Sequence, residues 1–167
     1  MNKETLLFIF LLALLAAGCA SQYSNRQLLE LLGDMGLKTA QHEKGIVVFL
    51  PEVYFEFDSS QLTVAAQEKL SDIGSILINP RASSRHILIE GHTDSIGNSH
   101  YNERLSMNRA DAVADALVAY GVNDLRITRR GYGQKYPIAP NTTPDGRDNP
   151  EGRAQNRRVE IVVVESK

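Results

Sequence analysis

The sequence predicts an α+β domain with element order βαβαβ and a final returning strand, its two helices packed on one face of a mixed sheet. Three observations carry this prediction. Short runs of β-branched and aromatic residues read as strands, two longer segments repeat their apolar residues at helical spacing, and Gly- and Pro-rich stretches separate them. A sheet with one apolar face has to cover it, and two amphipathic helices on that face are the economical way to do so.

Ile46-Val47-Val48-Phe49-Leu50 forms the first predicted strand, which Pro51 breaks, and Val53-Tyr54-Phe55-Glu56-Phe57 reads as a second. Thr63 can cap a helix that places Ala66, Leu70, Ile73 and Leu77 on one face and stops at Pro80. A strand follows from His86 to Glu90. The second helix covers Tyr101 to Tyr120, with Ala110, Val113, Ala114, Leu117 and Val118 in one stripe and Gly121 placed as a left-handed C-cap. Arg126 to Arg130 and Arg157 to Val164 give the last strands, and Gln134 to Gln155 between them, rich in Pro, Gly, Asn and Asp, reads as a long loop.

Ahead of these elements, residues 20–44 are mostly polar apart from Leu28, Leu29, Leu31 and Leu32. Ser24 or Asn25 can cap a short helix there, and Gly33 and Gly36 can end it. The segment reads either as a tether with a small docking element or as a first core helix. Under the tether reading the chain divides into a signal peptide over 1–18, a lipidated tether over 19–44 and a folded domain over 45–167.

The signal peptide is read from Lys3, an apolar run from Leu6 to Ala17, and the small residues Ala16-Ala17-Gly18 that lead to Cys19. The run is shorter than the about 20 apolar residues a membrane-spanning helix needs. Small residues ending on the chain's only cysteine resemble the lipobox of bacterial lipoproteins, although Ala16 stands where that family more often has leucine. The resemblance implies acylation of Cys19, cleavage before it, and, because residue 20 is alanine and not aspartate, onward transport to the outer membrane. Two or more acyl chains anchor a protein stably. With Cys19 acylated no thiol is left for an intramolecular disulfide, so the domain has to stand on its core. A net charge of −2 and a pI near 6.1 argue against a nucleic-acid partner, which would call for a basic face.

The chemistry-bearing stretch is Gly91-His92-Thr93-Asp94-Ser95-Ile96-Gly97, continued by Asn102-Glu103-Arg104-Leu105-Ser106 and Arg109-Ala110, with Asn156-Arg157-Arg158-Val159-Glu160-Ile161 downstream. These spaced segments, within residues 46–164, resemble the OmpA-like peptidoglycan-binding domain, in its lipoprotein branch. A ligand of the diaminopimelate type ends in an ammonium and a carboxylate on one carbon, so its site needs an anion and a cation close together. Asp94, in the loop after a strand, can take the ammonium, and Arg109, on the next helix, can fork onto the carboxylate. The resemblance assigns them those roles, sets Asn102 beside them to orient the ligand, and gives Asp58 and Thr93 nearby polar contacts. The competing reading of Asp94 and Arg109 is an internal salt bridge between loop and helix.

Neighbouring strand residues point to opposite faces, so at most one of Arg157 and Arg158 faces the site, and Arg158 is the expected one. Of histidines 42, 86, 92 and 100, His92-x-Asp94 could supply two metal ligands and His100 a third, but no helix-spaced pair or CxxC accompanies them, so no metal or other cofactor is expected, and His92 is expected to fix its loop by hydrogen bonding. No Ser-His-Asp set or carboxylate pair suggests an enzyme, and Gly131-Tyr132-Gly133 alone reads as a turn.

The resemblance therefore implies a periplasm-facing outer-membrane lipoprotein whose partners are diaminopimelate-type peptidoglycan and, through its lipid, the membrane. The alternative is an envelope-signalling lipoprotein that captures a periplasmic repressor of a diguanylate cyclase, using Leu28 to Leu32 as an exposed apolar element. For the anchor, Cys19→Ser is expected to give an uncleaved or soluble periplasmic product that incorporates no labelled fatty acid. Normal labelling and retention on the outer membrane would contradict the lipoprotein reading.

Overall fold

The structure is a computed structural model that describes residues 21–165; Cys19 and the signal segment lie outside them. In chain order the elements are α1 (Asn25–Gly33), β1 (Lys38–His42), β2 (Gly45–Pro51), α2 (Val64–Ile78), β3 (Ile87–His92), α3 (Ser99–Ala119), β4 (Ile127–Gly131), α4 (Pro150–Asn156) and β5 (Arg158–Val164). The five strands form one sheet in the order β1-β2-β5-β3-β4. β3 and β4 are parallel, as a crossover through α3 requires, and the other pairs are antiparallel.

The valine-rich β5 lies at the centre, between β2 and β3. Its Val159, Ile161 and Val163 join Ile46, Val48 and Leu50 of β2 and Ile87 and Ile89 of β3 in one core under the helices. Leu70, Ile73 and Leu77 of α2 and Val113, Ala114 and Leu117 of α3 close it from above, so the expected helical stripes are buried except for Val118, which is exposed. Thr63 caps α2 by accepting from the Ala66 amide, as expected.

α1 belongs to this core. Leu28 and Leu32, one turn apart, are both 0% exposed, and Ser24 and Gln27 form a reciprocal capping box at the helix start. β1 then pairs with β2 along its whole length. The tether reading thus fails for residues 25–42, and the core-helix reading holds. β1 escapes sequence detection because Lys38-Thr39-Ala40-Gln41-His42 is polar, as suits an exposed sheet edge.

Two further expectations are corrected. Val53 to Phe57 is not a strand: after Pro51 the chain makes a 3-10 turn over Glu52–Tyr54, and only a single bridge, Phe55 to Leu62, resembles strand pairing. The turn takes Glu52 and Asp58 out of the sheet, with Asp58 at φ +47. The long loop also contains α4, which starts on Pro150 and is capped by Asn149 accepting from the Gly152 amide at 3.1 Å.

α3 sits unusually close to the sheet. A Cβ on Gly91 would lie 1.9 Å from the Ser106 carbonyl oxygen, and one on Gly131 would lie 2.5 Å from the Met107 nitrogen. Absent side chains at these two positions therefore set the depth of α3, which carries Arg109.

Leu28→Ala is expected to destabilise the protein by about 2–5 kcal/mol in denaturant titrations, as a fully buried leucine should. A change below about 0.5 kcal/mol, usual for surface positions, would return α1 to the tether.

Candidate functional site

The site forms where the ends of β2 and β3, the start of β5, and helices α3 and α4 meet. Gly91 brings α3 down, so Arg109, one turn beyond Ser106, enters the interior and is only 2% exposed. Its Nε donates to the Ser59 carbonyl at 2.9 Å, its Nη2 donates to Oε1 of Glu52 at 3.1 Å, and its guanidinium carbon lies 5.1 Å from the centre of the Phe55 ring. Burying this cation would be costly without the carboxylate and the carbonyl.

Asp94, 6% exposed, lies in the loop after β3. One carboxylate oxygen accepts from the Ile96 amide at 2.9 Å, and the other accepts from Arg157 at 2.8 Å and from Arg153 at 3.4 Å. Arg157 also pairs, through Nε, with Oε2 of Glu52. The groups thus form a continuous chain: Arg109 to Glu52, Glu52 to Arg157, Arg157 to Asp94, Asp94 to Arg153. Burial alone would lower the pKa of Arg157, but Asp94 and Glu52 together hold it above its ordinary value. Asp94 and Arg109 do not make the internal salt bridge that the competing reading of the sequence required. Each has a different internal partner.

The other expected residues separate into two groups. Thr93, 5% exposed, and Asn102, 2% exposed, lie behind the Asp94 loop. The Thr93 amide donates to the Gly133 carbonyl, and the Asn102 amide donates to the Ile96 carbonyl at 2.9 Å and to Gln134 at 3.0 Å. They position the loop. Asp58 is exposed at the rim and accepts from the Tyr101 hydroxyl at 2.7 Å, which raises the tyrosine's pKa. Phe57, 100% exposed, and Ile96, 60% exposed, add apolar surface to the same rim.

Arg158 is the expectation that the structure corrects. Arg157 is the C-cap of α4 and turns toward Glu52 and Asp94, whereas Arg158 opens β5 and points to the opposite face. There it pairs with Glu160 and donates to the Tyr136 carbonyl at 3.3 Å. Strand alternation places the two arginines on opposite sides, but only the position of α4 decides which side is which. Buried Asn156 fixes that position by accepting from the Ile138 and Ala139 amides and donating to the Ala139 carbonyl. Sequence reasoning also missed Glu52 and Arg153. Glu52 had a signal, an acid directly after a strand-breaking proline, whereas Arg153 lies in what read as loop.

His92 does not fix its loop through hydrogen bonds. It is 3% exposed, and neither ring nitrogen has a hydrogen-bond partner among the described residues. Burial, followed by the Arg158 charge, lowers its pKa from 6.5 to about 3. The unfolded chain therefore takes up this proton well before the native chain does. The contribution to stability is intact above about pH 6.5 and is lost as pH falls towards about 3. Imidazole carbon shifts of His92 are expected to stay flat from about pH 8 to about pH 5, and a transition near 6.5 would show that the ring is solvated.

A model of the OmpA family matches residues 54–151. The probable lipoprotein YiaD of Escherichia coli is 36% identical over 129 residues, which is 77% of this chain and 55% of that protein. Among solved structures, the peptidoglycan-associated lipoprotein of Burkholderia pseudomallei is 36% identical with a TM-score of 0.54, covering 65% of this chain and 86% of that one. The cell wall anchor of the T6SS from Pseudomonas aeruginosa is 29% identical with a TM-score of 0.67, covering 85% of this chain and 100% of that one. The chain spans 14% to 58% of the lengths of the first four curated relatives it matches. With more than half of its residues inside the family match and the expected sheet and helices in place, this chain belongs to the OmpA family.

Proposed function

We propose that this chain is an outer-membrane lipoprotein that binds peptidoglycan non-covalently through the diaminopimelate group and tethers the membrane to the wall, without enzymatic activity. The observation that carries this reading is the way the site's charges are partnered. Asp94 holds a cation, Arg157, and Arg109 holds an anion, Glu52. That internal pair stands where the ligand's ammonium and carboxylate would go.

Entry of the ligand is then an exchange of partners. Its ammonium takes Asp94 from Arg157, and its carboxylate takes Arg109 from Glu52. The displaced Arg157 and Glu52 are already paired with each other, so no buried charge is left alone. Because bonds are made and broken in nearly equal number, the net gain is modest, as suits a reversible contact repeated over a polymer. The relatives named for peptidoglycan association and wall anchoring support the same ligand class.

The signalling alternative relied on an exposed leucine segment. Leu28 and Leu32 are 0% exposed and Leu31 is 37% exposed, so that segment offers little to capture.

Calorimetry with diaminopimelate-type and lysine-type stem peptides tests the proposal. The lysine type lacks the distal carboxylate, forgoes the charged hydrogen bonds to Arg109, and should bind about tenfold more weakly, since about 1.4 kcal/mol is tenfold. Arg109→Ala should erase the preference, and Asp94→Ala should weaken both peptides. Glu52→Gln should tighten the diaminopimelate peptide several-fold, because a neutral amide competes less for Arg109. Equal affinity of the unmodified protein for both peptides would overturn the assignment of Arg109.

A further inference from the structure

The sheet face turned away from the helices carries a second cluster, separate from the wall-binding site. Glu90 of β3 and Glu160 of β5 are direct cross-strand partners, and the next pair on the same face is His92 with Arg158. Two carboxylates in register repel each other and normally destabilise a sheet. Here their repulsion is only partly relieved. Arg158 donates through Nε to Oε1 of Glu160 at 2.6 Å, its Nη2 lies 2.5 Å from that same oxygen, and it makes no such contact with Glu90. Among the described residues Glu90 accepts a side-chain hydrogen bond from the Tyr132 hydroxyl alone, at 3.5 Å, with the Arg130 charge nearby.

His92 completes the cluster. Its Nε2 lies 3.9 Å from Glu160 Oε1, and the ring stacks on Tyr132 at a centroid distance of 5.5 Å. A buried imidazole with both nitrogens unbonded is costly unless something else takes a lone pair. Ligand atoms of Glu90, His92 and Glu160 all lie within 4.8 Å of one another. A tetrahedral cation holds such atoms about 2.0–2.2 Å away, roughly 3.4 Å from each other, so small side-chain rotations would close the set.

We propose that Glu90, His92 and Glu160 form a binding site for a first-row divalent cation of the zinc type, with an open fourth position. One neutral imidazole and two carboxylates suit such a cation, and hard magnesium is a poorer match for the ring nitrogen. Arg158 remains on Oε1 of Glu160 and presents Oε2 to the metal, the usual arrangement in which a ligating carboxylate is itself hydrogen-bonded. Its positive charge opposes the cation, as does that of Arg130, which reaches the cluster through the Tyr132 hydroxyl at 3.1 Å. Binding is therefore weaker than at a site without these arginines. His42, Glu43 and Lys44 lie across the same groove and contribute no ligand.

The test is a titration of the full, untagged chain in detergent with Zn2+ against a chromophoric chelator, paired with thermal melts. One ion per chain is expected, with a raised melting midpoint and no competition from Mg2+ at equal concentration. Glu90→Gln and Glu160→Gln should each weaken binding at least tenfold and remove the thermal response. Glu90→Gln relieves the cross-strand repulsion, so it should fold at least as stably as the parent in the absence of metal. His92→Gln should abolish binding where it folds. Failure to bind Zn2+ would overturn the proposal, and so would unchanged binding in the two glutamine variants, which would place the ion elsewhere, as on the exposed His86 and His100. Stem-peptide affinity should be the same with and without Zn2+, so this result and that for the wall site are independent.

Discussion

The buried guanidinium of Arg109 is the constraint around which the rest of the site is arranged. A cation 2% exposed has to be answered by acceptors, and those come from the one segment that joins β2 to α2: the Glu52 carboxylate, the Phe55 ring and the Ser59 carbonyl. Glu52 in turn engages Arg157, the C-cap of α4 just before β5, and Arg157 engages Asp94 after β3. One ionic chain therefore ties together the elements whose relative placement defines the site. It forms only because α3 can lie against bare backbone at Gly91 and Gly131. The 3-10 turn over Glu52–Tyr54 has the same logic, since a strand continuing through those residues would leave Arg109 without its carboxylate.

The sheet separates two chemistries. On the helix side the β-branched core ends in the ionic chain, where every charge has an opposite partner. On the other side β3 and β5 present Glu90, His92, Arg158 and Glu160, where one carboxylate and one imidazole are poorly partnered. The entry of the chain into β5 sends Arg157, the C-cap of α4, to one system and Arg158, the first residue of β5, to the other. A substitution at either arginine should thus be read against its own face.

Much of this was legible in the sequence. Apolar periodicity located α2, α3 and the three central strands, and the family resemblance of the segment from Gly91 to Ala110, more than residue type alone, singled out Asp94 and Arg109. What stayed hidden depended on tertiary position. β1 is polar because it is an edge, and α4 is polar because its short stretch packs through Gly152 and Asn156 rather than through large side chains. Leu28 and Leu32 looked the same as an exposed docking stripe until the sheet beneath them was known. The alternation rule correctly split Arg157 from Arg158, but the sign of that split depends on how Asn156 clamps the preceding loop.

In the proposed mode of binding, Glu52 and Arg157 stand in for the ligand. A structure of the chain bound to a diaminopimelate stem peptide tests it most directly. The ligand carboxylate is expected on Arg109 and its ammonium on Asp94, with the 3.1 Å contact between Arg109 and Glu52 broken and the Glu52–Arg157 pair kept. A bound peptide that leaves Arg109 on Glu52 and Asp94 on Arg157 would contradict it.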